Sequence, residues 1–580
     1  MRFLATFQLK ERDAGGRLGR LNVQGHTLET PLFLPVVNPN IPVVAPHEME
    51  EEFRVKAVMT NAYIISRSPD LKRKALEEGI HRALGFNGAV FTDSGAYQTF
   101  RGEVEVTQTE IIKLQEAMRV DVGVMLDVPS REESPEETRR AVLETAARAE
   151  EWQRTRQQGA VAWEGVVQGG AYLSLVKLSC GRMSRYDFDI FAVGIPPRLW
   201  KSYEFAAIGL QGLTARLNLP VAKPLHAFGV GHPAALPLLV AVGYDIFDSA
   251  SYSLYARDGR YLTELGTRRL AELEFLPCNC PECQRSDVRD LQQAPALEAR
   301  RFLAKHNLHS ILREVNVVKQ AIHENRLWDL VYERARAHPK LLEGLKAVLK
   351  AGRKHFEGVD PVVKRSPFMY YGRESRLRPE LTRALRRVKE RLVVGPIPSA
   401  LRETYPFGQA VSAKPFTFGK EHCSELERSR TIADYQFGRG IGLALFPDDT
   451  VFERSRSTGR IRRAWLHGEL LATLRPHDGL WVLRISGAGR LHAATEYPRY
   501  RAVVTEDEEV QRLISLGANV FSRFVVSSDP GLIPGEETLV VTQGDGLLGV
   551  GRAVLSGREM TEFRYGVAVE TREGVRSGCG

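Results

Sequence analysis

The sequence predicts an α/β chain whose first half is a (β/α)₈ (TIM) barrel and whose second half holds smaller α+β and β-rich domains. In the first half, an apolar run rich in β-branched residues is followed by an amphipathic helical stretch, and this unit repeats eight times. Each run ends in a polar residue or a glycine. Runs that are apolar throughout are typical of parallel strands, because both faces of such a sheet are buried. Eight such units in succession match a closed barrel.

The strands can be placed along the chain, and two helices between them carry clear boundary signals. One helix should begin at Pro135 and run towards Arg154, because Ser134 and Glu137 form a capping box and proline suits the first helical position. A second helix is expected over 232–242 and should end at Gly243. The eight strands are predicted at 32–38, 55–61, 89–93, 122–127, 165–168, 190–194, 224–229 and 245–248.

Composition indicates an ordinary globular protein of several domains. The chain has 580 residues, of which 43% are hydrophobic and 26% charged. The formal net charge of +9 is compatible with an RNA partner without requiring one. It contains no run of about 18 apolar residues, so we expect no membrane helix, and its first residues turn charged too early for a secretory signal. Six cysteines, three of them in one short segment, favour a metal site in a reducing, cytoplasmic compartment over disulfides.

Changes in composition predict four segments. Residues 1–335 form the barrel domain, with a metal site at 278–306. Residues 336–428 form a basic α/β linker domain whose most basic helical stretch is 376–391. Residues 429–500 mix short strands with helices and carry several arginines, among them Arg454 and Arg456. Residues 501–580 are rich in strand patterns separated by glycine turns.

Asp93 and Asp248 each end an apolar strand, where barrel enzymes place their catalytic groups. Two carboxylates can divide the work of cutting an N-glycosidic bond, because one can stabilise or attack the anomeric carbon while the other moves protons. A strand-end aspartate can also simply cap the next helix, and for either residue alone that interpretation is favoured. Asp127 and Gln168 end two further strands and could bind a purine edge. The convergence of all four on one barrel mouth favours a site.

Cys278, Cys280 and Cys283 lie within six residues, and His306 follows after a helical stretch. Three thiolates and one imidazole form a closed tetrahedral zinc sphere with no open position for a catalytic water, which is typical of a structural site. Three free cysteines in a core are disfavoured, because polar residues and a proline lie between them. His309, one helical turn after His306, is a rival fourth ligand that spacing does not exclude.

Together these motifs resemble those of the tRNA-guanine transglycosylase family, in the same order along the whole barrel and the cysteine segment. The resemblance implies a nucleophile at Asp248 that forms a covalent enzyme–RNA intermediate, a general acid/base at Asp93, and one zinc held by the three cysteines with His306, not His309. The sequence does not decide between these two aspartates for the two roles. The motifs are residues 91–98, 166–170, 192–194, 226–233, 247–250 and 305–307 together with the cysteines, and the base pocket they imply contains Ser94, Asp127, Gln168, Val193, Gly194 and Ile195.

Departures from the bacterial form of the family indicate the archaeal type. Residues 251–260 replace a bacterial arginine-asparagine-glycine turn, and Ile195 stands where the bacterial pocket has a second glycine. Residues 516–521 and 535–536, with the final hairpins, resemble a PUA domain, an RNA-binding module. This likeness implies exchange of guanine 15 in the D arm of tRNA for 7-cyano-7-deazaguanine (preQ0), on the route to archaeosine. The family resemblance also implies a homodimer.

A guanine buried in the tRNA core must be extracted before it can react, and base flipping costs a few kcal/mol. We therefore expect Arg460, Arg462, Arg463 and the PUA surface to grip distant phosphates, although a solvated arginine face explains any one of them as well. A catalytically inactive tRNA-binding partner, or an enzyme acting later in the pathway, should lack the intact pair Asp93 and Asp248. A barrel glycosidase for small sugars would leave the zinc cluster and the RNA module unexplained.

Overall fold

The computed structural model describes residues 4–96, 106–131, 134–408, 410–411 (backbone only) and 416–576. The chain divides into two compact units. The first comprises the chain up to Lys10, then Gly15–His323 and Leu330–Ala351. The second comprises Glu11–Ala14, Glu324–Asp329 and the chain from Gly352 onward.

The first unit is built on an eight-stranded parallel sheet that closes into a barrel, as the sequence predicts. Around the barrel, the strands follow one another in the order 32–35, 246–249, 225–227, 190–193, 162–167, 122–124, 89–93 and 57–61. A parallel bridge between Val36 and Met59, with Val37 N donating to Met59 O at 2.8 Å, joins the first strand to the last. After an N-terminal sheet of β1 Ala5–Asp13, β2 Gly16–Val23 and β3 His26–Thr30, the barrel strands are β4 Leu32–Pro35, β5 Ala57–Asn61, β6 Ala89–Asp93, β7 Val122–Val124, β8 Ala162–Val167, β9 Ile190–Val193, β10 Leu225–Ala227 and β11 Ile246–Ser249.

Two strands differ from their predicted bounds. β8 begins at Ala162, three residues before the predicted start, and so includes Glu164. A charged residue breaks an apolar pattern, yet every residue of β8 is buried, Glu164 included. β7 ends at Val124, so Asp127 lies in the loop that follows the strand rather than at its last position.

Helices cover the barrel between its strands, and both predicted boundaries are present. Ser134 Oγ accepts a hydrogen bond from Glu137 N at the start of α6, and Gly243, with φ of 118°, ends α10. A 3₁₀ turn, Pro233–Ala235, opens the stretch that leads into α10. The helices are α1 Pro46–Glu51, α2 Ala62–Ser66, α3 Pro69–Glu78, α4 Ile80–Leu84, α5 Gln108–Ala117, α6 Pro135–Thr155, α7 Leu173–Met183, α8 Pro197–Lys201, α9 Phe205–Asn218, α10 Leu236–Val242 and α11 Ser251–Arg257.

A subdomain that carries the cysteines follows α11. The antiparallel hairpin of β12 Arg260–Thr263 and β13 Gly266–Arg269 leads into α12 Pro281–Gln284 and α13 Val288–Gln293. The long helix α14 Ala296–His323 then returns along the hairpin, and α15 Leu327–Ala335 and α16 Pro339–Ala351 follow it. None of the described helices is long and apolar enough to cross a membrane.

The second unit contains two substantial sheets with helices around them. The predicted basic stretch forms α18, but Arg378 before it and Arg383 and Arg387 within it are buried. Its elements up to residue 500 are α17 Arg353–Val359, β14 Phe368–Met369, α18 Pro379–Arg391, β15 Ala410–Val411, α19 Glu425–Phe437, α20 Ile441–Leu445, the antiparallel strands β16 Val451–Arg454, β17 Ile461–Leu466, β18 Glu469–Leu474 and β19 Trp481–Leu483, and α21 Ile485–Ala494.

The last part of the chain is β-rich, as predicted. Its six strands pair in the order β21-β25-β24-β23-β20-β22, and β20 with β23 is a parallel pair among antiparallel neighbours. The elements are β20 Arg501–Val504, α22 Glu508–Ser515, β21 Val520–Phe521, β22 Val525–Ser528, β23 Glu537–Val541, β24 Leu547–Ala553, α23 Gly557–Glu562 and β25 Val567–Gly574.

Candidate active site and metal centre

Asp93 is the last residue of β6 and faces the barrel mouth. Its Oδ2 accepts a hydrogen bond of 2.7 Å from Asn61 Nδ2, the last residue of the neighbouring strand β5. Asn61 also caps α2 by accepting from Ile64 N, so its amide is held by the fold. Gly95 follows with φ of 96°, and a Cβ there would come within 2.2 Å of Tyr63 Cβ. The turn after Asp93 therefore requires glycine.

The electrostatic environment of Asp93 favours its protonated form. Burial and the neighbouring negative charge of Asp127 raise the pKa of Asp93 to about 7, and the charge of Asp248 adds to this rise. A carboxyl group with such a pKa is both acid and base near neutral pH, which is what proton transfer in two directions requires.

Asp127 and Gln168 form a hydrogen-bonded pair at the same mouth. Gln168 Nε2 donates to Asp127 Oδ2 at 2.5 Å, and both side chains are almost fully buried. Burial raises the pKa of Asp127 to about 6, although the bond from Gln168 opposes the rise. The backbone N–H of Gln168 is held by Ser179 Oγ at 3.0 Å. A carboxylate beside an amide is suited to the adjacent donors and acceptors of a purine edge.

The predicted backbone part of the pocket, Val193 to Ile195, lies directly against this pair. A Cβ on Gly194 would lie 2.5 Å from Gln168 Nε2, so only glycine leaves room for the amide. Gly194 N donates to Val167 O, and its carbonyl accepts from Gln211 Nε2 at 2.8 Å. The carbonyl of Val193 accepts from Phe228 N. Each of these two carbonyls keeps a second lone pair for a ligand, whereas the N–H of Gly194 is used by the fold.

Ser94 adds a buried hydroxyl group that makes no hydrogen bond to any described residue. Its side chain is fully buried next to Asp93, and its hydroxyl has no hydrogen-bond partner within the described part of the chain. An unpaired buried hydroxyl is costly unless a ligand uses it. Tyr97 and Gln98, which complete the motif in the sequence, lie outside the described residues.

Asp248, on β11, is held from two sides. Gly229 N donates to its Oδ1 at 3.0 Å, and Nε2 of His226, on the adjacent strand β10, lies 3.2 Å from the same oxygen. On the other side of the imidazole, Nδ1 of His226 lies 3.1 Å from Oε2 of Glu164. The side chains of Glu164 and His226 are both completely buried.

The mouth thus brings together the residues predicted from the sequence and adds three that the sequence analysis did not single out. Asn61, Glu164 and His226 each contact or support one of the aspartates through the bonds described above. His226 stands in a motif noted for its resemblance, and Glu164 is a charge within an apolar stretch. That charge was the available signal, but the predicted strand began after it, at Gly165.

The predicted metal ligands also converge. Sγ of Cys280 and Sγ of Cys283 lie 3.5 and 3.4 Å from His306 Nδ1, and the ligand atoms of these residues and Cys278 lie within 4.8 Å of one another. His306 Nε2 lies 2.9 Å from the carbonyl of Leu262, a bond that places the proton on Nε2 and turns the lone pair of Nδ1 towards the sulfurs. The cluster could therefore hold one metal ion.

The rival ligand His309 is used elsewhere, since its ring packs against Phe53 with centroids 4.3 Å apart. Two contacts hold the imidazole of His306 and the helix around it in place. Tyr261 stacks on the imidazole at 3.5 Å, and Asn307 Oδ1 accepts from Leu262 N at 2.8 Å. Of the two histidines left open by the spacing, the geometry selects His306.

Comparison with known proteins agrees with this architecture. A family model described as queuine tRNA-ribosyltransferase matches residues 13–340, more than half of the chain. The chain belongs to the tRNA-guanine transglycosylase family. Two further models match beyond the barrel, the patch-forming domain C2 of tRNA-guanine transglycosylase at 427–498 and a PUA domain at 501–575. The β-rich end of the chain, strands β20 to β25, is thus a PUA domain, as its sequence predicts.

Relatives match the transglycosylase over its whole length. A protein of Thermococcus kodakarensis is 41% identical over 98% of this chain and 99% of its own. A protein of Pyrococcus furiosus is 42% identical over 99% of this chain and 98% of its own, and one of Korarchaeum cryptofilum is 38% identical over 96% and 95%. All three are named tRNA-guanine(15) transglycosylase. The chain is accordingly an enzyme of a transferase family, and it covers nearly the full length of these relatives.

Proposed function

We propose that this enzyme exchanges guanine 15 in the D arm of tRNA for preQ0, a step of archaeosine biosynthesis. The relatives named for position 15 match along almost the entire chain, and the PUA domain supplies an RNA-binding module. The observation that carries the proposal is the pair of mouth carboxylates, Asp93 and Asp248, held in different electrostatic environments. An inactive or later-acting partner would have no need for both.

The first half-reaction uses both carboxylates. A carboxylate oxygen of Asp248 forms a bond to ribose C1′ while the bond between C1′ and guanine N9 breaks, and the electron pair of that bond goes to the departing base. Protonated Asp93 gives its proton to the base, so that neutral guanine leaves and the tRNA remains covalently attached to Asp248.

The second half-reaction reverses these movements with the incoming base. The carboxylate of Asp93 accepts the N9 proton of preQ0, N9 attacks C1′, and the ester bond to Asp248 breaks with its electron pair returning to the carboxylate. The pKa of Asp93 near 7 supports its role as the proton carrier. The imidazole of His226, 3.2 Å from Oδ1 of Asp248, supports the role of Asp248 as the nucleophile, because this contact fixes the carboxyl group at the barrel mouth. The two roles, open in the sequence, are assigned on this difference.

Recognition of the base falls to the groups that line the rest of the mouth. Guanine and preQ0 share an N1–H and a 2-amino group, both donors, which Asp127 can accept. Gln168, Ser94 and the backbone from Val193 to Ile195 supply the remaining polar contacts, with the carbonyls of Val193 and Gly194 as acceptors.

We assign zinc to the cluster of Cys278, Cys280, Cys283 and His306. The donor set, three thiolates and one imidazole, fits a tetrahedral zinc with no open position, so the ion ties the cysteine segment 278–283 to α14 and takes no part in exchange. Removing zinc with a chelator should lower the melting temperature, and the fraction of enzyme still folded should retain its kcat. A Cys283→Ser variant should reproduce the loss of stability and of bound zinc.

Two of the three arginines proposed to bind RNA, Arg460 and Arg462, border a cavity of about 290 Å³ in the second unit. Arg463 is paired with Glu453 at 3.0 Å, and Arg460 lies 3.6 Å from Glu403, so acidic residues partly offset their charges. Arg462 is exposed at the same cavity and is the strongest candidate of the three for a phosphate contact. Truncation at about residue 500 should weaken tRNA binding, and unchanged affinity would remove the PUA domain from the proposal.

The partners and setting follow from the same function. The enzyme is expected to work in the cytoplasm on tRNA, with guanine and preQ0 as its bases, and as a homodimer. Sedimentation of the purified enzyme at micromolar concentration should give twice the chain mass of 64.9 kDa. A mass of one chain would contradict the proposed dimer and would not affect the proposed chemistry.

The decisive experiment is incorporation of radiolabelled guanine into an unmodified tRNA transcript. Label should enter with the wild-type enzyme and be lost with Asp248→Asn or with a transcript that lacks guanine 15. Entry at another guanine would keep the chemistry and overturn the assigned position. No entry into any tRNA would favour the inactive partner. A second assay, displacement of labelled guanine by preQ0, tests the incoming base.

A further inference from the structure

The deepest charged residues near the mouth are Glu164 and His226, and the proposed exchange gives neither a role. Both side chains are completely buried. Burying a carboxylate and an imidazole inside a barrel costs stability unless they are paired. Their geometry pairs them with each other and, through the second ring nitrogen of His226, with Asp248.

The three residues come from three strands whose register brings them into line. Ala192 of β9 pairs with both Val166 of β8 and His226 of β10. Paired residues of parallel strands face the same side, and Glu164 faces that side too because it lies two residues before Val166. The small side chain of Ala192 therefore leaves room for Glu164 to reach across β9 to the imidazole.

Both ring nitrogens of His226 face carboxyl oxygens. Nδ1 lies 3.2 and 3.1 Å from the two oxygens of Glu164, and Nε2 lies 3.2 Å from Oδ1 of Asp248. A carboxyl group on each side of the ring favours a proton on both nitrogens. In agreement, although burial alone would lower it, the charges of Glu164 and Asp248 raise the pKa of His226 to about 9.

We infer that Glu164 and His226 are a positioning pair that holds Oδ1 of Asp248 and thereby presents Oδ2 as the oxygen that bonds to ribose C1′. Gly229 N donates a hydrogen bond to the same Oδ1 at 3.0 Å, so this oxygen is held by one backbone donor and by the charge-pair contact with His226 Nε2 at 3.2 Å. Glu164 orients the ring and balances its charge. The inference rests on the proposed role of Asp248 as nucleophile.

The pair acts differently on the two states of Asp248. An imidazolium stabilises the free carboxylate and gains much less from the neutral ester of the covalent intermediate. It therefore favours departure of Asp248 from C1′ when the new base attacks. Without the pair, a larger share of the enzyme should remain as the ester at equilibrium, and turnover should slow.

Two substitutions of the same residue separate this role from simple packing. In His226→Gln the amide nitrogen can occupy the place of Nε2 and still donate to Asp248. In His226→Asn the amide lies near the place of Nδ1, can still meet Glu164, and cannot reach Asp248. Both variants remove the ring, so a packing defect should affect both.

The measurements are kcat and KM for tRNA in guanine exchange, and the fraction of enzyme trapped as the tRNA adduct at a set guanine concentration, read on a denaturing gel. His226→Asn should lower kcat ten- to a hundredfold, leave KM within twofold and raise the adduct fraction. His226→Gln should restore kcat to within about fivefold of the wild type and lower the adduct fraction again.

Equal losses in both variants, with a parallel fall in melting temperature and no rise in adduct, would overturn the inference in favour of packing. Wild-type kinetics in His226→Asn would also overturn it. Glu164→Gln, which keeps an acceptor for Nδ1 and removes the charge, should lower kcat about three- to tenfold, and wild-type kcat would remove Glu164 from the pair. If the wild-type enzyme forms no adduct with any tRNA, the proposed function fails first, which is a distinguishable result.

Discussion

Carboxylates are buried in clusters in two regions of this enzyme, and the two clusters are compensated in opposite ways. At the barrel mouth, Asp93, Asp127 and Asp248 have as partners two side-chain amides and one imidazole. Among the described residues, no lysine or arginine forms an ion pair with any of these three. In the second unit, one cluster of four buried carboxylates, Asp13, Asp329, Asp360 and Glu380, lies among three cationic side chains.

The cluster of the second unit, called here the charged core, is nearly neutral. Lys364 pairs with Asp13 and, at 2.6 Å, with Asp360. Arg378 pairs with Asp329 and, at 2.6 Å, with Glu380. Arg383 is the third cation, with a guanidinium nitrogen 3.7 Å from Asp360. Burial opposes ionisation, yet the charges of Arg378 and Lys364 lower the pKa of Glu380 to about 2.

The comparison distinguishes two uses of buried charge. In the charged core, each acid has a cation beside it, so the groups serve the fold. At the mouth, negative charge is left in excess, and the pKa values of Asp93 and Asp127 rise to about 7 and 6 mainly because the groups are buried. Uncompensated burial is costly, and its presence at a cleft marks a site that acts on a ligand.

The largest expected effect is on catalysis at the mouth. Asp93→Asn should lower kcat for guanine exchange by about 10² to 10⁴, because it removes the proton carrier. The matched control is Asp189→Asn, an aspartate at the other end of the barrel that accepts from Trp163 N at 3.0 Å. Steady-state kinetics that show equal losses in the two variants would contradict the assignment of Asp93.

The second effect is on stability in the charged core. Arg378→Met should cost about 3 to 5 kcal/mol of unfolding free energy, because it leaves Asp329 and Glu380 buried without their cation. Arg386→Met, on the helix that follows Arg378 and with a side chain that is 40% exposed, should cost less than about 1 kcal/mol. Denaturant titration measures both. Similar values would mean that the charged core is not compensated as described.

The third effect is a pH dependence with a definite sign. The pKa of Asp93 is about 7 in the folded state and has the ordinary value of 3.8 in the unfolded state. The folded state therefore binds this proton more tightly. Between about pH 4 and pH 7, Asp93 is ionised in the unfolded state and still protonated in the folded state. The wild type therefore loses stability as pH rises through this range, whereas Asp93→Asn has no proton to lose there and keeps its stability. The variant should be more stable by about 1 to 3 kcal/mol above pH 7 and equal to the wild type near pH 4. A constant difference across this range in thermal melts would contradict the shift.

The smallest effect concerns RNA binding by the second unit. Arg462→Ala should weaken tRNA binding about two- to fivefold and reduce the slope of log affinity against log salt by about one, as for loss of one phosphate contact. Arg154→Ala, an exposed arginine paired with Glu150 on α6, is the control and should change neither value. An unchanged salt slope for Arg462→Ala would exclude this residue from the interface.

Much of the barrel was predictable because its signals are local. A buried parallel strand must be apolar along its length, and a helix start requires a capping residue such as Ser134, so eight strands and several helix ends are visible in the sequence. The meeting of Asp93, Asp248 and Gln168 at one barrel mouth was predictable because barrel strand ends converge. Glu164 escaped the strand prediction, because the sequence does not show that a charge inside an apolar strand has a partner two strands away.

The sequence by itself determined the barrel, its ring of strand-end polar groups and the spacing of the four metal ligands. The spacing of the ligands left His306 and His309 open and the family resemblance implied His306, for which tertiary structure supplies the physical reason: the ring of His306 turns Nδ1 towards the sulfurs, whereas His309 packs on Phe53. Tertiary structure also decided that Asp248 lies beside an imidazole and that burial raises the pKa of Asp93. Their proposed roles rest on this difference. Periodicity and capping depend on neighbours along the chain, whereas pKa values and ligand geometry depend on groups that folding brings together from distant strands.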